Sequence, residues 1–477
     1  MNREDIRSLI LKEFDHQPTA DQERAIDHLS AFHISLKMNP VYMLKGYAGT
    51  GKTTLVSAYI NVVRKLNKPF ALLAPTGRAA KVLSYYTGFK AHTIHRYIYQ
   101  IYTTPDGNYS LTLVKNNYQN AVFLVDEASM INDGIQAEDA LFSKRNLLED
   151  LLTFVFEGKN NKLIFVGDTA QLPPVGLSMS PALDIQYISS LKNLSSYAFE
   201  MKEVMRQSFD SGVLASASLL RNKIEAENCN PPFFSKALFK ADIQRIENSY
   251  DLEELLQNTF SRDELSRGIV VCRSNKRANL FNNQIRNRIL QRESRIEGGD
   301  IMMVVRNNYY WLDETSKAGF IANGDMIRIV RVIGIEEKYG FVFADAEIEL
   351  LDFPDEKEYT VKLLLDTIES ESAGLPEPER QRLWKEMEQE YQHFRQRRKR
   401  NDAIQKDPYF NALHIKYAYA MTCHKTQGGQ WPEVIVDQGY IIEQMLNTDY
   451  LRWLYTALTR ATDKIYLVNF NPDFFTD

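Results

Sequence analysis

The stretch Gly46–Thr54, GYAGTGKTT, limits the fold more tightly than any other segment of this chain. It matches the pattern G-x-x-x-x-G-K-[ST], whose fixed positions are here Gly46, Gly51, Lys52 and Thr53. Glycines at these positions let backbone N–H groups curve around phosphate oxygens, between an apolar strand and the start of a helix. The flanking segments VYMLKG and TTLVSAYINVVRKL have the patterns of that strand and that helix. The stretch therefore predicts a phosphate-binding loop in a parallel α/β sheet.

The side chains of this loop and of a later strand indicate a chemistry. Lys52 would neutralise the outer phosphates of a nucleotide, and the Thr53 hydroxyl would coordinate Mg²⁺. The apolar strand in VFLVDEAS delivers Asp126 and Glu127 to its carboxyl end, where open parallel sheets bind ligands. Asp126 suits the Mg²⁺ shell, and Glu127 suits orienting and deprotonating an attacking water. Together with the loop, this pair predicts ATP hydrolysis.

A third segment, GDTAQLPPV, ends another apolar strand at Gly167 and Asp168. The amide of Gln171 could reach the terminal phosphate of a nucleotide, and the two following prolines would stiffen the loop so that it moves as a unit. The same pattern is also typical of a strand that ends in a purely structural proline loop. Both interpretations stay open from these residues alone.

Two regions alternate short apolar strands with amphipathic helices, as parallel α/β sheets do. The first contains VYMLKG, PFALLAPT, AVFLVDEAS and KLIFVGD, and the second contains GIVVCRS, ALHIKYAYAMTCHK, WPEVIVD and KIYLVNF. Strand residues around Pro105–Asn108 predict a β-hairpin, and period-two alternation after Gly298 predicts a small antiparallel β-barrel. We therefore expect a first lobe over residues 1–96 and 118–208, a hairpin over 97–117, a second lobe over 209–297 and 410–477, and a barrel with a charged helix over 298–409.

The segment 376–406 is predicted to be a charged helix that starts acidic and finishes in the basic run Arg395–Arg400. One interpretation is a solvated spacer; the other is a contact with nucleic acid or with a protein partner.

Charge and cysteine content narrow the class of protein. The net charge is -5, so any nucleic-acid site must be a local basic channel and not a property of the whole molecule. Cys229, Cys272 and Cys423 are widely separated, which predicts reduced thiols and neither a disulfide framework nor a zinc site. No apolar run approaches the roughly 20 residues that cross a bilayer. We expect a cytoplasmic protein without a membrane partner.

The segments GYAGTGKTT, APTGRAAKVL, AHTIHR, LVDEASM, GDTAQLPPV and EVMRQ resemble the ordered motifs of superfamily-one helicases. The resemblance continues through VVCRSNKRANLFNNQIR, ANGDMIRI, TCHKTQGGQ and YTALTRA, and so covers Thr19 to Ala461. Within that superfamily the chain is most similar to the RecD and Dda group, which moves 5′ to 3′ on single-stranded DNA. The resemblance implies two RecA-like lobes, an ATP-dependent DNA helicase activity with ATP and Mg²⁺ as cofactors, and single-stranded DNA and a duplex fork as partners of a monomer.

The resemblance also implies roles for individual residues. The catalytic residues would be Lys52, Glu127, Gln171 and two arginines that contact the γ-phosphate, Arg206 and Arg460. The nucleotide would be held by Gln22, which reads the adenine edge, and by Gly46, Gly49, Thr50, Gly51, Lys52, Thr53, Thr54, Gly428 and Gln430. Thr53 and Asp126 would hold the metal. The DNA strand would lie on Thr76, Arg78, Thr93 and His95 of the first lobe and on Thr422, His424 and Lys425 of the second. His95 and His424 could instead be core histidines.

If ATP lies between the two lobes, Lys52, Asp126 and Glu127 approach it from one side and Arg460 from the other. ATP would then favour a closed gap, and hydrolysis would release it. The chain departs from the family at Gln430, where relatives have a glutamate that contacts the sugar, so we expect an altered ribose preference. The hairpin tyrosines, Tyr99, Tyr102 and Tyr109, could stack on the last base pair or pack against their own lobe.

Two other functions stay open at this point. The chain could be an RNA helicase or a DNA translocase that does not separate strands. It could also be a nucleotide switch whose turnover is incidental, although a switch does not need two arginines that accelerate hydrolysis.

Overall fold

The computed structural model describes residues 1–476 except 15, 104–108, 135–144, 192, 205–210, 261–266, 314–315, 317, 354–355, 371 and 373. The strands are β1 Pro40–Gly46, β2 Phe70–Ala74, β3 Ala91–Thr93, β4 Tyr99–Thr103, β5 Tyr109–Leu113, β6 Val122–Val125, β7 Lys162–Gly167, β8 Ser195–Met201, β9 Phe234–Ser235, β10 Ile243–Ile246, β11 Gly268–Cys272, β12 Ile301–Val304, β13 Met326–Lys338, β14 Phe341–Leu350, β15 Tyr359–Leu364, β16 Leu413–Tyr417, β17 Ala420–Thr422, β18 Trp431–Asp437, β19 Ala461–Val468 and β20 Phe475–Thr476.

The α-helices surround these strands, and a π-helical turn, Ile285–Ile289, extends one of them. They are α1 Arg3–Lys12, α2 Ala20–Ile34, α3 Lys52–Lys65, α4 Gly77–Thr87, α5 Ile94–Ile98, α6 Leu147–Glu157, α7 Ile185–Ser190, α8 Gly212–Glu225, α9 Ser249–Phe260, α10 Asn275–Gln284, α11 Glu377–Glu390, α12 Arg397–Gln405, α13 Cys423–Thr426 and α14 Thr448–Leu458. No helix among the described residues is long and apolar enough to cross a membrane.

The first lobe is a six-stranded parallel sheet in the order β3-β2-β6-β7-β1-β8. Its inner strands β2, β6, β7 and β1 are mainly apolar because both of their faces are covered. In β1, Val41 and Met43 pack into the core beneath α5 and α6, whereas Tyr42 and Leu44 pack into the core beneath α2 and α3. Parallel pairing places the carboxyl ends of β1, β6 and β7 at one edge, and this edge carries the phosphate loop.

The second lobe is a five-stranded parallel sheet in the order β10-β19-β18-β11-β17, and β12 to β16 form a closed barrel. The predicted α/β fold of two lobes with an inserted barrel is therefore confirmed. We expected one strand over ALHIKYAYAMTCHK, but the structure has two: β16 closes the barrel, and β17 joins the second sheet. The amide of Asn282 holds the crossing, because it accepts from the N–H groups of Tyr419 and Ala420 and donates to the Tyr417 carbonyl.

The charged extension is two helices, α11 and α12, and not the single helix that we expected over residues 376–406. A short 3-10 turn at Tyr391–His393 separates them. Leu383, Met387 and Ile404 are buried together with Phe341 and Phe343 of β14. The few apolar residues of this charged segment thus dock it on the barrel.

The predicted hairpin is present as the antiparallel pair β4 and β5, in which Tyr99 lies opposite Leu113. Tyr99 is buried, and its hydroxyl donates to Asp150 Oδ2 at 2.7 Å, so this tyrosine packs against its own lobe. The expected tip, Pro105–Asn108, lies outside the described residues, as do the side chains of Tyr102 and Tyr109.

Candidate active site

A cleft of about 390 Å³ lies between the two lobes. The first lobe lines it with residues from the carboxyl ends of β1, β6 and β7, which include Lys52, Asp126 and Gln171. The second lobe lines it with Gln430 and with Arg460, which follows α14. The cleft therefore joins side chains from distant parts of the chain around the phosphate loop.

The phosphate loop has the backbone that its glycines allow. Gly49 and Gly51 have φ of 78° and 81°, in the left-handed region that side chains with a Cβ disfavour. Lys52 Nζ lies in the mouth of the loop and donates to the carbonyl oxygens of Gly46 and Tyr47 at 2.6 and 2.9 Å. Thr53 lines the cleft at the start of α3. The loop is thus shaped to receive phosphate oxygens at the positive end of that helix.

Two other residues expected at the nucleotide have different surroundings, and a third lies outside the described residues. Gln22 is buried and caps α2, since its Oε1 accepts from the Thr19 N–H while its Nε2 donates to the Thr50 carbonyl at 3.1 Å. In this arrangement Gln22 supports the phosphate loop from behind. Thr54 is exposed and does not line the cleft. Arg206 lies outside the described residues.

The carboxylate pair follows β6 directly. Glu127 has φ of 50°, a strained value for a residue with a side chain, and its N–H donates to Asp126 Oδ1 at 2.9 Å. Burial raises the pKa of the Asp126 carboxyl, and the charge of Glu127 raises it further. The half-buried Asp126 carboxylate, which is repelled by the neighbouring charge of Glu127, lines the same cleft as the Thr53 hydroxyl. Together they are an oxygen donor set that fits Mg²⁺.

Gln171 lies in the cleft wall below this pair. Its side chain is buried, and its Oε1 has no hydrogen-bond partner among the described residues. A buried carbonyl oxygen without a donor is costly unless a ligand or water supplies one. The position therefore suits a side chain that accepts a hydrogen bond from a water in the cleft.

Arg460 reaches from the second lobe toward the carboxylate pair. Its guanidinium is almost fully buried and donates to the carbonyl oxygens of Thr456 and Gly429 at 3.1 and 3.3 Å. Its Nη1 lies 3.9 Å from Oε1 of Glu127 in the first lobe. Backbone carbonyls thus aim this guanidinium across the cleft.

A second cross-lobe contact involves a residue that sequence reasoning overlooked, Tyr455 of α14. Its hydroxyl accepts from the Ala48 N–H in the phosphate loop at 2.8 Å and donates to Asp168 Oδ2 at 2.7 Å. Burial raises the pKa of Asp168, while this hydrogen bond opposes the rise. Tyr455 therefore connects the phosphate loop, the end of β7 and the helix that carries Arg460. The only signal in the sequence was its place in YTALTRA.

Replacing Tyr455 with phenylalanine should cost the closed arrangement about 1–3 kcal/mol, because a buried carboxylate and a loop N–H each lose a partner. We expect nucleotide affinity to fall by about tenfold, since 1.4 kcal/mol corresponds to that factor. Titration with a fluorescent ATP analogue measures it. Tyr450→Phe is the matched control, because this buried tyrosine of the same helix has a hydroxyl without a partner among the described residues. Equal affinities of the two variants would contradict the role of Tyr455.

The loop after α13 closes the rim of the cleft. Gly428 has φ of 72° and approaches so closely that a Cβ would lie 2.8 Å from the Cβ of Ala79. The Gln430 side chain accepts from the Tyr86 hydroxyl at 3.4 Å. Arg78 donates to the Gln430 carbonyl at 3.2 Å and lies 3.6 Å above the ring of Trp431. Arg78, which we expected on the DNA strand, instead contacts the second lobe. It is therefore part of the seam, by which we mean the contacts between the two lobes around the cleft. Trp431 is a further residue that sequence reasoning overlooked.

The other expected strand contacts occur at starts of helices. Thr76 and Thr93 cap α4 and α5, since their hydroxyls accept from the N–H groups of Ala79 and Arg96. His95 is half-buried, and burial lowers its pKa to about 4, so it is neutral at pH 7. On the second lobe, Thr422 precedes α13, and His424 and Lys425 lie within it. His424 is exposed, and Lys425 is half-buried.

Two family models match separate parts of the chain. An AAA domain matches residues 17–229, and a UvrD-like helicase C-terminal domain matches residues 417–468. The first match contains the phosphate loop and the carboxylate pair, and the second contains the loop at Gly428 and Arg460. The two matches thus supply the two sides of the cleft.

Several known proteins are similar to this chain. The ATP-dependent RecD2 DNA helicase of Deinococcus radiodurans is 35% identical over 133 residues, which are 28% of this chain and 16% of that protein. The ATP-dependent DNA helicase Dda of Enterobacteria phage T4 is 26% identical over 314 residues, 64% of each chain. An uncharacterized protein of Methanocaldococcus jannaschii is 27% identical over 94% of this chain, which spans 38% of that protein's length. Among solved structures, a Bacteroides Pif1 helicase in complex with ADP-AlF3 and ssDNA is 14% identical, with a TM-score of 0.46 over 97% of this chain and 95% of that one.

Proposed function

Since the chain is a superfamily-one helicase of the RecD and Dda type, we propose that it couples ATP hydrolysis between its lobes to 5′ to 3′ movement on single-stranded DNA. In this proposal it also separates duplex DNA at a fork. Similarity to two ATP-dependent DNA helicases, RecD2 and Dda, supports ATP as the nucleotide and DNA as the track. The direction of movement rests on the likeness to the RecD and Dda group.

One observation carries the proposal: Arg460 of the second lobe lies 3.9 Å from Glu127 of the first, across a cleft that also contains Lys52. A planar guanidinium can hold two phosphate oxygens and offset the charge that develops during phosphoryl transfer. In this position it can do so only while the lobes are close together. Bound ATP then favours closure, and loss of the γ-phosphate removes the contact that favours it.

Different residues of the first lobe would perform different steps of ATP hydrolysis. Asp126 and Thr53 would hold Mg²⁺, which supplies charge neutralisation between the phosphates when bound. Lys52 would neutralise the outer phosphate oxygens from the mouth of the loop. Glu127 would accept a proton from the attacking water, and Gln171 would orient that water through its unpartnered Oε1.

The proposed track consists of the helix starts that carry Thr76, Thr93 and Thr422, together with His95, His424 and Lys425. Hydroxyls, ring nitrogens and backbone N–H groups hold phosphate and sugar oxygens without reading the base sequence. Each lobe would thus grip the strand separately. The Arg78 and Trp431 contact ties the first grip to the nucleotide loop, so that closing the cleft would change the distance between the two grips.

The ATPase rate with and without single-stranded DNA or RNA tests this proposal against its alternatives. We expect strong stimulation by DNA and weak stimulation by RNA; the reverse preference would favour an RNA helicase. A rate that neither nucleic acid changes would favour a nucleotide switch and reject the motor. Strand displacement from 5′-tailed and 3′-tailed duplexes then separates the remaining cases. Activity on the 5′ tail alone is expected, and stimulation without any displacement would indicate a translocase.

The β4–β5 hairpin is proposed to split the duplex. Replacing Tyr102 and Tyr109, the hairpin tyrosines that could stack on the last base pair, with alanine is expected to reduce strand displacement by about tenfold or more, because base–aromatic stacking contributes about 1–3 kcal/mol per base. ATP turnover on single-stranded DNA should stay unchanged, because the strands of the hairpin do not line the cleft. Parallel loss of displacement and turnover would contradict a separate role in splitting.

A further inference from the structure

A second cavity, of about 660 Å³, lies at the amino ends of the strands of the first sheet. Its walls include the end of α2, the start of β1 at Pro40 and the start of β7 at Lys162. β1 has seven residues, so a rise of about 3.3 Å per residue puts this amino-end cavity about 20 Å from the phosphate loop. It is therefore a separate site from the nucleotide cleft.

All ionisable side chains that line the amino-end cavity are bases: His33, Lys37, Lys68 and Lys162. No aspartate or glutamate is among the described residues that line it. This is unusual in a chain whose net charge is -5. Lysines at the surface of such a chain normally have carboxylates nearby, as Lys65 has in its ion pair with Glu13.

Lys162 is the most buried of the three lysines. Its side chain is 9% exposed, and its Nζ donates to the carbonyl oxygens of Phe32 and Ser35 at 2.9 and 2.6 Å. These carbonyls lie at the end of α2, where the helix dipole favours a cation. Burial, together with the nearby charge of Lys68, lowers the pKa of Lys162 to about 8. The carbonyl oxygens at the end of α2 explain how the charge of Lys162 is stabilised here, but they do not explain how the charge of Lys68 is stabilised.

Lys68 is a half-buried cation whose partner in the cavity is a neutral ring. Its Nζ lies 3.0 Å from His33 Nε2, and His33 Nδ1 lies 3.0 Å from the Tyr59 hydroxyl. An ammonium group only donates, so Nε2 accepts and the proton of the ring is on Nδ1. Burial lowers the pKa of His33 to about 4, in agreement with a neutral ring. In the part of the chain that the structure describes, neither Lys68 nor Lys162 forms an ion pair with a carboxylate.

We propose that the amino-end cavity binds a compact phosphate-bearing anion, with Lys68 and Lys162 as its cationic partners. A dianion would offset two ammonium charges that none of the described carboxylates neutralises, and it would accept their remaining hydrogen bonds. The volume is within the range of about 300–1,000 Å³ that is usual for small-molecule sites. At the rim, Leu36 and Met38 are exposed and offer apolar surface to the part of the ligand beyond the phosphate.

Chemical modification of lysines, read by mass spectrometry at each residue, tests the proposal on the full chain. Acetylation of Lys68 is compared with and without pyrophosphate, orthophosphate or AMP. At a ligand concentration ten times Kd, acetylation of Lys68 should slow by about tenfold, because only the free fraction reacts. Lys65, the last residue of α3 and three residues before Lys68, is the internal control, and Lys52 reports the nucleotide cleft separately. Protection by orthophosphate identifies the phosphate group itself as sufficient, whereas protection by AMP alone identifies a nucleotide; both support the site.

Two results would overturn the proposal: no protection of Lys68 by any of the three anions, or equal protection of Lys68 and Lys65. A pair of variants makes the test independent of the reagent. Lys68→Met keeps the aliphatic packing and should abolish the rise in the thermal unfolding midpoint that the protecting anion causes, whereas Lys65→Met should retain it. An unchanged rise in Lys68→Met would also reject the site. Unfolding without ligand shows whether each variant folds.

Discussion

Arg460→Ala is expected to slow DNA-stimulated ATP hydrolysis by about 10³-fold or more, the range that removal of an arginine finger gives in phosphoryl transfer. The guanidinium is aimed across the cleft by two backbone carbonyls and lies 3.9 Å from Glu127. No other described arginine lines this cleft. Steady-state turnover at saturating ATP and DNA measures the effect.

Two control variants distinguish a loss of catalysis from a general weakening of the contacts between the lobes. Arg452→Ala removes an arginine of α14, the helix that precedes Arg460. Arg452 donates to the Ser178 carbonyl of the first lobe but does not line the cleft, so turnover should stay within a few-fold of the starting protein. Arg460→Lys keeps the charge but not the planar fork, and it should recover only part of the rate. If Arg460→Ala and Arg452→Ala had the same mild effect, Arg460 would not be a catalytic residue.

Glu127→Gln is expected to retain ATP binding and to lose turnover by about 10²–10⁴-fold, the contribution that a positioned general base makes. Glutamine keeps the shape and the hydrogen-bonding capacity of the side chain but cannot take a proton from water. Single-turnover hydrolysis and the affinity for ATP are measured on the same preparation. Near-normal single-turnover hydrolysis would remove the role of general base from Glu127.

The matched control for this variant is Glu149→Gln, an exposed glutamate of α6 in the same lobe that does not line the cleft. Its turnover and affinity should be unchanged. Because Glu127 also faces Arg460, the variant Glu127→Gln could loosen the seam as well as remove the base. Normal ATP affinity together with lost hydrolysis excludes that explanation, since a looser seam would weaken binding too.

The phosphate loop and the carboxylate pair were predictable because each is set by a short stretch of chain. The glycines of GYAGTGKTT allow the positive φ angles that the structure shows at Gly49 and Gly51. Asp126 and Glu127 follow an apolar strand, and the carboxyl ends of parallel strands meet at one edge of a sheet. The two lobes and the barrel were predictable from strand periodicity for the same reason.

Other parts of the prediction failed where a pattern fits two environments. ALHIKYAYAMTCHK reads as one apolar run, yet the Asn282 amide holds the chain where it passes from the barrel to the second sheet. The charged segment 376–406 reads as one helix, yet it divides so that Leu383, Met387 and Ile404 can pack on the barrel. Neither the hydrophobic periodicity nor the composition of these two segments predicts these tertiary contacts.

The sequence by itself determined that the chain has a phosphate loop, an adjacent carboxylate pair and two parallel α/β lobes, because these features depend on residues that are neighbours along the chain. Only the tertiary structure decided that the Tyr455 hydroxyl joins Ala48 to Asp168, that Arg78 stacks on Trp431, and that Lys68 and Lys162 share a cavity that no described carboxylate lines. Tyr455 and Ala48 are 407 residues apart in the chain. Their contact exists because α14, whose buried residues pack in the core of the second lobe, places the Tyr455 hydroxyl next to the phosphate loop of the first lobe, which no local pattern encodes.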